Sequence, residues 1–243
     1  MGSDSSTRIS YKELRASLYN GLATAEEEDD DSIDDGDLHP LWIEQEELNE
    51  KVLEALKPMH EEWAGVPLTG ALAYGLRVYR NNSVLAMHVD RPETHIISCI
   101  IHVDKSPDAG PWPIFIEEFQ GNTNEVHLTS GDMLFYESSK CIHGRPRRFN
   151  GSWYSSIFVH YYPTGWDPEQ AGLEVQYSLP PTWDVLGPED PGIEKLEMSG
   201  TAMGEPNCPD SWCKTINTVK WQGPAKKGVV ITTGYVGDEG AEL

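Results

Sequence analysis

The chain has 243 residues, a formal charge of −22 and a pI near 4.6. A mean field of that sign repels a phosphate backbone and argues against a general nucleic-acid binder. No apolar run reaches the roughly 18–20 residues of a membrane span, so no span is expected. Met1 to Arg15 lacks the cationic start and apolar core of a secretory leader, which makes a cytoplasmic placing the default expectation.

In chain order, residues 1–37 are expected to be an acidic disordered tail. Nine of the twelve positions from Glu26 to Asp37 are acids, and like-charge blocks of this kind are ordinarily solvated. Met1-Gly2-Ser3-Asp4-Ser5-Ser6 fits the loose N-myristoylation pattern, although the acids that follow would be repelled by anionic lipid. From Leu41 to Trp63 apolar residues recur at three- and four-residue steps, opposite a row of glutamates. The spacing predicts an amphipathic helix, with Pro58 bending or breaking it.

From Leu68 the period changes to two. Strands are expected at Leu72–Tyr79, Val84–Val89, Ile96–Val103, Ile114–Glu118, Glu125–Leu128, Met133–Tyr136 and Trp153–Tyr161, separated by Gly-, Asn- and Pro-rich turns. Short strands in this number predict a mainly β sandwich or barrel braced by the helix, over residues 38–166. Residues 167–243 are rich in Pro and Gly and are expected to form an irregular extension, with a strand-like stretch at Val229–Thr233. Cys99 and Cys141 sit among apolar neighbours and are expected to be buried thiols. Cys208 and Cys213 lie five apart in a loop-like stretch where a local disulfide is conceivable.

The most informative residues are His88-Val89-Asp90, followed 53 positions after Asp90 by His143. Residues i and i+2 of a strand project from one face, so His88 and Asp90 offer an imidazole and a carboxylate to one ion. A second imidazole from another strand completes a 2-His-1-carboxylate triad. That arrangement favours non-haem Fe(II), with open positions for a co-substrate and O₂. Lys140, Arg145, Arg147 and Arg148 crowd into nine residues without an acid, in a chain that is otherwise acidic. Beside a candidate metal ligand, such a cluster suggests an anionic ligand.

With these residues in place, the span from about Leu72 to Pro163 resembles the Fe(II)/2-oxoglutarate-dependent dioxygenases, most nearly the prolyl 4-hydroxylase-like branch. The matching elements are Leu76-Arg77-Val78-Tyr79, His88-Val89-Asp90, Gly131-Asp132-Met133-Leu134-Phe135-Tyr136 leading to His143-Gly144, and the closing run Tyr154 to Tyr161. The resemblance implies a double-stranded β-helix (jelly-roll) core with Fe(II), 2-oxoglutarate as co-substrate and ascorbate as reductant. It also implies a peptide or protein substrate hydroxylated on proline or a related side chain, with release of succinate and CO₂. Carried over by position, His88, Asp90 and His143 are the iron ligands, and Tyr79 and His102 fall where the family bonds its co-substrate.

The chain departs from the family where a Lys or Arg usually holds the far carboxylate of 2-oxoglutarate. Ser152 and Trp153 stand there instead. Ser152 can supply one neutral hydrogen bond, and Arg145 is the expected replacement, because an extended backbone aims positions 143 and 145 into one cavity. The rival expectation is a non-catalytic β-helix module that keeps the triad but has lost the anchor. An Arg or Lys of the cluster inside the barrel would separate the two.

Overall fold

The computed structural model describes residues 9–28, 33–34, 38–91, 93–167 and 227–232. The myristoylation pattern, the Cys208–Cys213 pair and most of the expected C-terminal extension lie outside the described residues.

Two six-stranded sheets face each other. One has the order β1 (Glu26–Glu27), β3 (Leu41–Trp42), β4 (Leu68–Arg80), β11 (Trp153–Pro163), β6 (Ile97–Lys105), β9 (Met133–Glu137). The other runs β12 (Lys227–Thr232), β8 (Thr123–His127), β7 (Ile114–Glu117), β10 (His143–Arg145), β5 (Val84–His88), β2 (Ile33–Asp34). From β4 to β11 the chain winds back and forth between the sheets, and its pairings are antiparallel. This is a double-stranded β-helix, the jelly roll expected from the sequence. Each expected strand forms, with ends moved by a few residues.

Alternation along the strands separates two apolar clusters. Leu76, Val78, Cys99, Ile101, Val103, Ile157 and Val159 face outward against the helices. Tyr79, Ile100, Tyr154 and Phe158 face the barrel interior with Trp112 and Tyr136. One bulge alters the pattern on β4. Gly75 takes φ +113°, and a Cβ there would lie 2.9 Å from the Ser156 carbonyl oxygen. The extra residue lets Tyr74, Arg77 and Tyr79 share the inner face although they are not evenly spaced.

Two of the sequence expectations need correction. Residues 9–28 are not a disordered tail: α1 (Tyr11–Gly21) buries Leu14 and Leu18 on the outer face of the sheet. Arg15 (2.7 Å) and the Tyr19 hydroxyl (2.9 Å) both bond Asp104, and the Tyr11 hydroxyl donates to the Val103 carbonyl at 2.9 Å. A start signal is present in the sequence, since Ser10 precedes Glu13 by three and the Glu13 carboxylate accepts the Ser10 N–H. The charge of the tract beyond it masks this short apolar stripe. Nor does the second helix begin at Leu41. Leu41–Trp42 pairs with β4, and α2 runs from Glu46 to Ala64 straight through Pro58. Pro58 and Glu54, whose carbonyl loses its donor, are both exposed, so water can take the place of the missing bond. Among the described residues no helix is long and apolar enough to cross a membrane.

Candidate metal centre and anion site

His88 ends β5 and His143 begins β10, and the two stand opposite each other in antiparallel register with ring centroids 4.4 Å apart. The approach depends on Gly144, where a Cβ would lie 2.6 Å from the Ala86 carbonyl oxygen. Each imidazole donates from Nδ1 to the carbonyl two residues before it, His88 to Ala86 at 2.7 Å and His143 to Cys141 at 2.9 Å. A carbonyl can only accept, so in the neutral rings both Nε2 atoms present lone pairs. They converge on Asp90 Oδ1, at 3.4 Å from His88 and 3.8 Å from His143. One ligand atom from each of the three residues lies within 4.8 Å of the others.

The protonation states suit a cation. Burial pushes the Asp90 carboxyl up, but His143, His88 and His160 together pull it well below the ordinary carboxylate range, so it is ionised. Burial, reinforced by His88, lowers His143 to about 4 and keeps it a neutral ligand at pH 7. The donor set, two imidazoles and one carboxylate on one side of the ion, fits a ferrous ion with open positions.

A cavity of about 420 Å³ opens beside the triad, walled by Leu85, Ile100, Tyr136 and Phe158, with Leu72, Tyr74, Arg91, His95 and His160 also on its lining. His160 and His95 are neighbours there. Their rings meet at a tilt of 32° with centroids 4.0 Å apart, and His160 Nδ1 sits 3.8 Å from Asp90 Oδ2. Arg77 also lines the cavity, and sequence reasoning gave it no role. Its guanidinium forms a two-pronged pair with Glu28 of the acidic tract, Nε to Oε2 at 2.6 Å and Nη2 to Oε1. The inward parity of Arg77 with Tyr79 was available in the sequence. Its partner, 49 residues away, was not.

Of the cations near His143, Arg145 enters the barrel. It is 2% exposed, donates from Nη1 to the Trp112 carbonyl and from Nη2 to the Tyr154 hydroxyl (3.2 Å), and lies over both rings at 4.7 and 4.6 Å. Among the described residues no carboxylate pairs with it. Arg147 instead reaches Glu125 at 3.0 Å, and Arg148 the Asn82 carbonyl at 3.2 Å. His102 stacks on Tyr154 at 3.9 Å, and Tyr79 meets Trp112 edge-on at 4.9 Å. Ser156 lies opposite both His102 and Arg77 in the sheet register. Ser156 Oγ and His102 Nε2 are buried without hydrogen-bond partners. The barrel therefore brings together Tyr79, His102 and Arg145 of the expected co-substrate residues.

Ser152 is not among them. It is exposed and donates to Asp108 at 2.8 Å, because the turn at Gly151 precedes β11 and leaves Ser152 on the surface. Trp153 packs outward against Tyr19 of α1.

No family model matches this sequence, and a search of curated proteins finds no match. Solved structures do resemble it. HygX from Streptomyces hygroscopicus, with nickel and 2-oxoglutarate bound, is 13% identical over 64% of this chain and 80% of that one, with a TM-score of 0.47. A Pseudomonas putida prolyl-4-hydroxylase is 12% identical over 64% and 88%, at 0.45. An oxidoreductase of the 2OG-Fe(II) oxygenase family from Burkholderia pseudomallei is 14% identical over 60% and 77%, at 0.46. All three are likenesses of fold, at 12–14% identity over 60–64% of this chain.

Proposed function

We propose that the chain is an Fe(II)- and 2-oxoglutarate-dependent dioxygenase that hydroxylates a peptidyl proline or a related side chain. The observation that carries this is the coexistence, in one barrel, of the triad and a buried guanidinium that, among the described residues, has no carboxylate partner. An uncompensated cation in a dry interior is costly, and it is retained where an anion comes to meet it.

His88, Asp90 and His143 would hold the ferrous ion. Arg145, with Ser156 and Tyr79, would take the far carboxylate of the co-substrate by charge-assisted hydrogen bonds. With the ferrous ion bound, O₂ would be the oxidant and 2-oxoglutarate the two-electron reductant, one oxygen atom going to a substrate C–H bond and the other into succinate with release of CO₂; ascorbate is the expected reductant. The chain's own contribution is positional. The bonds to Ala86 and Cys141 fix both imidazoles, and Leu85, Ile100 and Phe158 give the cavity an apolar wall. Arg77 is paired with Glu28, and the acidic surface favours a neutral or basic peptide.

The test is succinate formation from 2-oxoglutarate with Fe(II) and a panel of Pro-containing peptides. Peptide-stimulated succinate, abolished in Asp90→Ala, is the expected result. Intact metal binding without any 2-oxoglutarate binding would make the protein a degenerate module.

A further inference from the structure

The anion site contains one group of the wrong polarity. His102 Nδ1 lies 3.1 Å from the Ser155 carbonyl oxygen, which can only accept, so the ring proton is on Nδ1. The neutral ring then presents a bare lone pair at Nε2, buried and without a hydrogen-bond partner. Its neighbours in the interior are the donors a carboxylate needs. Arg145 packs on the same Tyr154 ring that His102 stacks on, and Ser156 is its cross-strand partner. A carboxylate entering here meets Nε2 acceptor to acceptor. A proton on Nε2 turns that repulsion into a charge-assisted hydrogen bond.

We propose that the far carboxylate of 2-oxoglutarate binds together with one proton taken from solvent, and that the proton resides on His102 Nε2. The proposal rests on the co-substrate assignment above and adds a property to it: binding of 2-oxoglutarate is linked to pH. The step forms one N–H bond and breaks none in the ligand.

The surroundings of His102 favour this account. On its own strand stand Asp104 and Lys105, on β10 Arg145, on β11 Tyr154 and Ser156, on β4 Tyr79, and in the turn before β9 Asp132. Asp104 is already engaged by Arg15, Tyr19 and Ser130, so it does not compete for the proton. In the free protein, burial outweighs the Ser155 bond and, with Arg145, holds His102 down at about 3. A carboxylate placed against Arg145 cancels that repulsion and adds attraction, raising the bound-state value. A group whose value is higher in the complex makes affinity greatest at low pH and weaker as pH rises.

Isothermal titration calorimetry on Mn(II)-loaded protein provides the test, with 2-oxoglutarate titrated at pH 6, 7 and 8 in phosphate and in Tris. The heats should differ between the buffers by the amount expected for uptake of about one proton, and Kd should rise by up to about tenfold per pH unit. Titration of 2-oxobutyrate, which has the metal-binding end but no far carboxylate, should show no uptake. His102→Gln offers a neutral donor and should bind 2-oxoglutarate with a flat pH profile and no proton uptake. Wild-type binding of 2-oxoglutarate without uptake overturns the proposal, with or without a folded variant. So does uptake that 2-oxobutyrate reproduces, or uptake that survives in His102→Gln. Failure to bind 2-oxoglutarate at any pH is a different result, which removes the co-substrate assignment and this proposal together.

Discussion

Two buried arginines face the interior of this barrel, and their circumstances are opposite. Arg77 meets a carboxylate of its own chain, that of Glu28, the residue directly after β1 at the edge of one sheet. Among the described residues Arg145 meets only neutral groups, a backbone carbonyl, a tyrosine hydroxyl and two aromatic faces. On the proposed reading, the difference separates a charge used to hold the fold from a charge held for the co-substrate. Removing the partner of Arg77 should weaken the protein, whereas removing Arg145 itself should weaken binding.

The largest expected effect is on Arg77. Glu28→Gln keeps the shape of the side chain but strips the charge that the 5%-exposed guanidinium meets through two bonds. Breaking a buried pair in this way costs on the order of 3 kcal/mol. Denaturant unfolding should show that loss, and Glu28→Leu with Arg77→Met should recover most of it. If Glu28→Gln unfolds at the wild-type midpoint, the pair is not a structural one and the contrast between the arginines collapses.

The second effect is on Arg145. Arg145→Met should weaken 2-oxoglutarate by about 10- to 100-fold, the worth of a charge-assisted hydrogen bond of roughly 1.5–3 kcal/mol. Mn(II) binding should survive, and the loss of stability should be well below that of Glu28→Gln. Unchanged 2-oxoglutarate affinity would move the anchor elsewhere, with Arg77 the next candidate.

How much of this was legible in the sequence depends on the range of the interaction. Period-two alternation made the strands readable, and with them the shared face of His88 and Asp90. The same parity aimed Arg145 into the barrel, where it packs on Trp112 and Tyr154 rather than lining the cavity at the triad. The pairing of Glu28 with Arg77 carries no local signature, because nothing in a tract of nine acids distinguishes the one that turns inward. The bulge at Gly75 was hidden for a related reason. A glycine inside a strand marks several kinds of irregularity, and the cross-strand register alone reveals which it is. The helix at Tyr11–Gly21 was readable in principle, from Ser10 and Glu13 and from Leu14 and Leu18 four apart, but the charge beyond it set the expectation for the whole segment.

The smallest effect is expected where sequence resemblance placed the anchor. Counting nine or ten residues past His143 reaches Ser152 and Trp153, and a cation there would be the family's usual solution. In this chain neither position faces the interior. Ser152 is exposed on the turn and bonded to Asp108, and Trp153 contributes to the outer cluster with α1. The first β11 side chain in the inner cluster is Tyr154, whose hydroxyl accepts the Arg145 bond. The interior cation therefore comes from β10, two residues after the metal ligand, and Ser152 has no access to the carboxylate. Ser152→Ala should change 2-oxoglutarate affinity by less than about twofold and stability by no more than about 0.5 kcal/mol, as for an ordinary surface substitution. Ser152→Arg should be equally silent, because its side chain starts from the surface and the inner route is filled by Tyr154 and Trp112. A tenfold gain in 2-oxoglutarate affinity in Ser152→Arg would mean that the turn at Gly151 can deliver a cation inward, and that Arg145 is not the residue on which binding depends.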